Sequence, residues 1–549
     1  MASLELKELR REVAELIIIR ASAHGMDSLR EYPNWECTND QLQKFLEEGI
    51  GGVILHGGTI EDLERRCSQL NSWSDKKIFL CADVEEGVGQ RFQGGTWLTP
   101  PMALGLLHKK DPQHAISLAE QYGIAIGKEA LLCGLNWVLA PVCDVNTNPL
   151  NPVINMRAWS DDAISVSALC SAFYRGLSNA GILGCAKHFP GHGDTNVDSH
   201  MQLPVLENDL ALLNRRELLP FRALINEQIS SIMTAHLYLK NIDSNHPVTF
   251  SKKVLTNLLR EKLDFKGLIV TDALVMKAIT RNYGSKLSAA MAFAAGADLI
   301  LMPENVSDAI DSIVDLIISG QVPIQRLKDS LLRRSKALKM HIDKPSKHKQ
   351  SIRLKAKFSI KNCDYHSLSN QLLDLSIEYR NRLEINKSRR LINLIRVDSL
   401  HAKLVLNRSS PALTFPENLG FQNVVIHSLG ISPWQNNKSE PLALDRFGEG
   451  IFLLQLFIRG NPFSGDSALS EPWVNVVKQL QKCNRLAGLV LYGSSYLWND
   501  LVTVLEPSIP SIFSPGQMPL AQEKVMNILF QRTKEQEYCH AKINSEFID

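Results

Sequence analysis

Long hydrophobic runs are missing from this 549-residue sequence. Its most apolar stretches, such as 451–458, have the length of a β-strand, far short of the roughly 20 residues a membrane-spanning helix needs. Residues 1–11, MASLELKELRR, have neither the apolar stretch nor the small-residue cleavage site of a secretory leader. The expectation is therefore a soluble, cytoplasmic protein with no membrane partner. Charge of one sign is also missing: 60 Lys and Arg against 58 Asp and Glu leave +2. Nucleic acids and anionic surfaces demand a dense basic face, so no nucleic-acid partner is expected. The ten cysteines lie singly from Cys37 to Cys539 without a Cys-x-x-Cys pair, which removes a zinc ribbon and a disulfide framework and leaves reduced, structural thiols. Cys185, two residues before Lys187, reads as a strand filler. No repeat of solenoid period and no low-complexity tract occurs.

What is present is 44% hydrophobic content in a chain too long for one core, so at least two domains are expected. Apolar, strand-length runs fall at 16–19, 52–55, 78–82, 137–140, 183–186, 231–234, 268–271 and 299–302, with helical patterns such as 115–132 and 287–295 between them. Eight strands alternating with helices predict an α/β fold, a (β/α)8 TIM barrel, over 1–340. A polar, lysine-rich linker is expected at 341–361. Beyond it, runs at 391–397, 423–426, 451–457, 486–492 and 509–513, interleaved with helical patterns at 473–481 and 520–529, predict a second α/β domain over 362–549, a three-layer αβα sandwich.

Polar residues follow several of these runs directly: Asp83 after the third, Lys187 and His188 after the fifth, His236 after the sixth and Asp272 after the seventh. In a (β/α)8 barrel that edge carries the catalytic groups. Asp at a strand-to-helix junction can instead cap the next helix. Residues 187–200, KHFPGHGDTNVDSH, gather three histidines and two aspartates in a Gly/Pro-rich segment. His188 and His192 are spaced like a helical zinc pair, but Pro190 and Gly191 between them oppose the helix, so no metal is expected. Asp198 and His200, one residue apart, point to the same side of an extended loop. They read either as an acid/base dyad or as a polar cluster satisfying its own backbone. Gly191 and Gly193 are candidate hinges for that loop.

The segment Lys187-His188-Phe189-Pro190-Gly191-His192-Gly193-Asp194, with Asp198-Ser199-His200 downstream, resembles the signature of family 3 glycoside hydrolases, in their bacterial β-N-acetylglucosaminidase branch. The resemblance implies that Asp198 and His200 form the acid/base dyad. Residues 265–276, FKGLIVTDALVM, are similar to the family's nucleophile motif, which puts Asp272 in the nucleophile's place. A carboxylate there can attack the anomeric carbon and form a glycosyl-enzyme, splitting one hard displacement into two with net retention. Asp83, Glu85 and Gly87 with Arg91, and residues 151–154 with Arg157, are similar to family segments that hold sugar hydroxyls; Lys187 and His188 complete the donor pocket, and His236 matches a pocket-facing position or is a satisfied core histidine. Two departures stand out. Glu86 replaces the family's second glycine, and Met156-Arg157-Ala158-Trp159 replaces its Arg-Ser-Phe context. The implied substrate is a terminal N-acetyl-β-D-glucosaminide, as in cell-wall fragments recycled in the cytoplasm, and no cofactor is implied. Other readings are a phosphorylase of the same glycosides, since a neutral histidine does not repel phosphate, a β-glucosidase of broader preference, and a catalytically silent barrel that only binds.

Overall fold

The structure, a computed structural model, describes residues 3–195, 202–343, 365–385, 388–397, 405–427, 430, 432–460 and 471–530. Two compact units divide at Ser369 and Asn370. Most of the expected linker, 341–361, lies outside the described residues, and the helix Ile324–Asp343 runs into its start.

The first unit is the expected barrel. Its eight parallel strands are β1 (Ile17–Ser22), β2 (Gly52–His56), β3 (Phe79–Ala82), β4 (Trp137–Val138), β5 (Leu183–Phe189), β6 (Ser231–Thr234), β7 (Leu268–Val270) and β8 (Ile300–Leu301). They pair in chain order, β8 returns to β1, and the bridge Val270 to Leu299 closes the ring. Each strand starts within one residue of its predicted run, because runs such as Ile17-Ile18-Ile19 are fully buried. A buried Ile or Leu contributes roughly 1.5–3 kcal/mol. The helices start on side-chain caps that the sequence supplies: Thr38 and Thr59 make reciprocal capping boxes with Gln41 and Asp62, and Asp111, Asp162, Asp209 and Asn305 each accept a first-turn N–H. At the base of the barrel Trp137 packs on Phe79, ring centroids 5.0 Å apart, and its Nε1 donates to Ser231 Oγ.

The main departure from expectation is β5, which continues through Lys187 and His188 to Phe189 instead of ending at Ala186. Against β6 its register runs from Ala186 opposite Ile232 to Phe189 opposite Thr234, three steps on one strand against two on the other. Lys187 and His188 thus occupy a β-bulge, a device that re-aims side chains at a strand end.

The second unit is a six-stranded sheet with helices such as Pro411–Asn418, Trp473–Lys482, Ser495–Val504 and Pro519–Phe530. Its strands are β9 (Glu378–Arg380), β10 (Leu391–Val397), β11 (Gln422–Ile426), β12 (Ile451–Ile458), β13 (Leu486–Gly493) and β14 (Ser511–Ser514), in the order β9-β14-β13-β12-β10-β11 with only β9 antiparallel. No described helix is long and apolar enough to cross a membrane.

Candidate active site

Asp83, Lys187, His188, His236 and Asp272 lie at or just past the C-terminal ends of barrel strands, on the edge the sequence pattern selected, and Arg91 and Arg157 lie further along the loops that follow β3 and β4. Asp198 and His200 lie outside the described residues. Neither Asp83 nor Asp272 caps a helix. The helix after Asp272, Lys277–Ala295, starts at Met276 with no side-chain cap, and Asp83 spends an oxygen on Lys187.

Four charges interlock beside β3 and β5. Lys187 Nζ lies 2.7 Å from Asp83 Oδ1 and 2.6 Å from Glu85 Oε1. Arg157 grips Glu85 with two parallel bonds, Nε to Oε2 at 2.9 Å and Nη2 to Oε1 at 2.8 Å, while its Nη1 donates to Val153 O. Burial alone would raise the Glu85 carboxyl, but Arg157 and Lys187 overcome it and hold the group well below the usual carboxylate range. Lys187, 1% exposed, is raised for the same reason: burial acts to lower it and Asp83 and Glu85 outweigh that. The set is electrically closed, two cations on two carboxylates, and its accessible end is Asp83, whose side chain is 37% exposed. Arg157 gives three of its five donors to Glu85 and Val153, so its geometry holds Glu85 and, through it, Lys187. Arg91 donates Nε to the Asp83 backbone carbonyl at 3.0 Å, which tethers its guanidinium to that residue.

His188 is held by a residue that sequence reading passed over. Asp144, fully buried, accepts from the His188 and His192 backbone N–H groups at 3.2 and 2.7 Å, and its Oδ2 lies 2.7 Å from His188 Nδ1. Burial would raise the Asp144 carboxyl, yet His188 and His192 keep it below its ordinary value. An ionised carboxylate only accepts, so His188 Nδ1 carries the proton and Nε2 is the end left for chemistry. The bridge from Val142 to Lys187 sets Asp144 under the bulge. The signal was in the sequence, an Asp soon after the fourth apolar run, but that run ended at Ala140 and the Asp came four residues later.

Asp272 is bracketed by bonds to β8 and its flanks: Thr271 Oγ1 accepts from Leu301 N, and Leu274 and Val275 donate to Leu301 O and Met302 O. One Asp272 oxygen accepts from Ala273 N at 2.7 Å. His236 is 1% exposed, with Nδ1 2.7 Å from Thr249 Oγ1 and Nε2 3.2 Å from Ala273 O. Of its two sequence readings the geometry favours the satisfied core histidine, tied to the backbone next to Asp272. Glu86, the departure from glycine, accepts from Trp97 Nε1 at 2.9 Å and is buried, so it braces its own loop.

His192 Nδ1 is 2.7 Å from Thr195 Oγ1, and among the described residues no group of three or more His, Cys, Asp or Glu is arranged to hold a metal. Gly193 presses on Val145 so closely that a Cβ would lie 1.9 Å from its carbonyl oxygen, and Gly191 has φ 138° against Glu217. Close packing and a left-handed backbone account for these glycines.

The glycosyl hydrolase family 3 N-terminal domain profile matches residues 8–336, and the bacterial family 3 C-terminal domain profile matches 384–531. Beta-hexosaminidase A of Pseudoalteromonas piscicida is 33% identical over 318 residues, covering 52% of this chain and 53% of that protein, so the chain spans about half the length of that relative. The beta-hexosaminidase of Nitrosomonas eutropha is 33% identical over 272 residues, 48% of this chain and 77% of that one. In fold, a family 3 beta-N-acetylglucosaminidase from Paenibacillus covers 95% of this chain and 96% of its own with TM-score 0.73 at 23% identity. With a profile spanning the barrel, a second spanning most of the following sheet domain, and the charged groups gathered on the barrel's C-terminal edge, the chain belongs to glycosyl hydrolase family 3.

Proposed function

We propose that this protein is a retaining β-N-acetylglucosaminidase that removes terminal N-acetyl-β-D-glucosamine, with cell-wall fragments in the cytoplasm as its physiological source. Asp272 attacks the anomeric carbon. His200, oriented by Asp198, protonates the leaving oxygen and then takes a proton from the incoming water. The hydroxyls of the sugar are held by Asp83, with Arg91 and His188 Nε2 beside it, while Lys187 and Arg157 keep Glu85 ionised and Lys187 holds Asp83 in place.

The observation that carries the reading is the rigid seat of Asp272, bonded on both flanks to β8 and facing the same barrel edge as the Asp83–Lys187–Glu85–Arg157 set. A fixed carboxylate costs little reorganisation when it attacks. The beta-hexosaminidase relatives support the choice of sugar. The test is hydrolysis of nitrophenyl N-acetyl-β-glucosaminide against the β-glucoside and β-xyloside, with and without phosphate. The N-acetyl substrate should be strongly preferred, with free N-acetylglucosamine as product. Preference for the β-glucoside, or a sugar 1-phosphate as product, overturns it. Asp272→Ala should abolish turnover. His200→Ala should damage substrates with poor leaving groups far more than nitrophenyl glycosides, which need little protonation.

A further inference from the structure

Across β1, β2 and β3 the register pairs Arg20 with Ile54 and Ile54 with Cys81, then Ser22 with His56. In-register residues of parallel strands share a face, and residues two apart return to it. Arg20 therefore stands one level below His56 and Asp83 on the β1–β3 side of the barrel edge, and Arg91 is tethered beside Asp83 through its Nε.

Arg20 and Arg91 differ from the other cations of the site. Lys187 and Arg157 are matched by carboxylates at 2.6–2.9 Å. Arg20 lies with Cζ 4.8 Å from the Tyr32 ring centre, and its Nη2 makes an ion pair with the buried Glu36 Oε1 at 3.6 Å that is too long for a hydrogen bond. Its side chain is only 15% exposed, and its shielded Nε has no hydrogen-bond partner among the described residues. Among the described residues Arg91 spends one donor, on a backbone carbonyl. His56, 3.5 Å from Glu31, adds no charge: burial, then Arg91 and Arg20, press it well below its ordinary value. Burial, aided by the field of Arg91, also lowers Arg20, while Glu36 and Asp83 act against that. A guanidinium removed from water without hydrogen bonds is costly, and two within each other's field cost more.

We propose that Arg20 and Arg91 form an oxyanion subsite next to Asp83, which takes a carboxylate or phosphate carried by, or bound beside, the saccharide. The inference rests on the sugar reading above. Guanidiniums only donate, so they select a group that only accepts; a hydroxyl would also need an acceptor for its own proton, a role Asp83 fills for the neutral part of the ring.

The test is calorimetric titration of the full chain with N-acetylglucosamine, N-acetylglucosamine 6-phosphate, N-acetylmuramic acid and inorganic phosphate. One sugar acid should bind about tenfold or more tightly than the neutral sugar, an advantage that shrinks with added salt. Arg20→Gln should erase the advantage and leave N-acetylglucosamine affinity unchanged. Arg20→Lys should keep part of it, since the charge remains and the fork is lost. The favoured ligand identifies the source as a phosphate ester, a carboxylate or free phosphate. Acids that bind no better than the neutral sugar, or an Arg20→Gln variant that weakens every ligand equally, overturn the subsite. Should Arg20→Gln fail to fold, Arg20→Lys and the wild-type salt series decide. Arg20-dependent phosphate binding by a protein that neither binds nor cleaves N-acetylglucosaminides would uphold the subsite and remove the sugar reading.

Discussion

Asp144 and Glu85 act through other side chains, and each can be tested by an isosteric change. In Asp144→Asn the backbone N–H groups of His188 and His192 keep an acceptor, but the amide offers His188 Nδ1 a proton instead of taking one, so the ring reverses its tautomer. Ring nitrogen NMR should show the proton moving from Nδ1 to Nε2, and kcat/KM should fall up to about a hundredfold, the scale of a misplaced site group. An unchanged tautomer would reduce Asp144 to packing. Glu85→Gln leaves Lys187 and Arg157 buried with half their counter-charge, at a cost of about 3–5 kcal/mol. Because the folded-state value of Glu85 is depressed, its contribution is complete above the ordinary carboxylate value, about 4.3, and is lost as pH falls toward the folded value. Urea unfolding of both proteins should therefore give a constant difference at neutral pH that closes in acid. At this scale Asp83, Lys187, His188 and Asp272 were legible because each stands directly after an apolar run. Asp144 and Arg20 were not. One follows its run at a distance; the other stands directly after the first run, but the strand continues past it to Ser22, so it sits within the ladder and not on the loop edge.

The helix Ile324–Asp343 shows how one buried charge fixes an element. Asp298, fully buried just before β8, accepts from Arg326, Arg333 and Ser330 on this helix and from Arg260. Burial would raise its carboxyl, but the three guanidiniums hold it below the ordinary range. Asp298→Asn strands three cations around a neutral amide, so it should cost about 3–5 kcal/mol and speed amide hydrogen exchange along Ile324–Asp343, while turnover at 25 °C stays near wild type. Unchanged exchange there would refute the anchoring. Helices and strands were mostly readable from apolar period and caps. The bulge in β5 was not, because an extra residue in a ladder depends on its partner strand. Nor was β9, whose three exposed residues, Glu378, Tyr379 and Arg380, carry no apolar signal and form a strand only by pairing with β14.

On the scale of the whole molecule, the chain divides into two units with separate cores, as its length required. Calorimetry should resolve two unfolding transitions. Asp298→Asn and Glu85→Gln should both lower the same one, and N-acetylglucosamine should raise that one alone, by mass action on the folded barrel. A single transition, or variants that move different ones, would refute this assignment. By itself the sequence determined the two-unit plan, the eight-stranded order and the edge that carries the polar groups, because burial period and strand length are local properties of the chain. Tertiary structure decided which charges neutralise one another. Asp83 and Lys187 are 104 residues apart, and only ring closure shows that Lys187 and Arg157 are hydrogen-bonded to carboxylates while Arg20 keeps a looser ion pair with Glu36 at 3.6 Å. Charge balance at a site depends on distances in space, which no spacing along the chain reports.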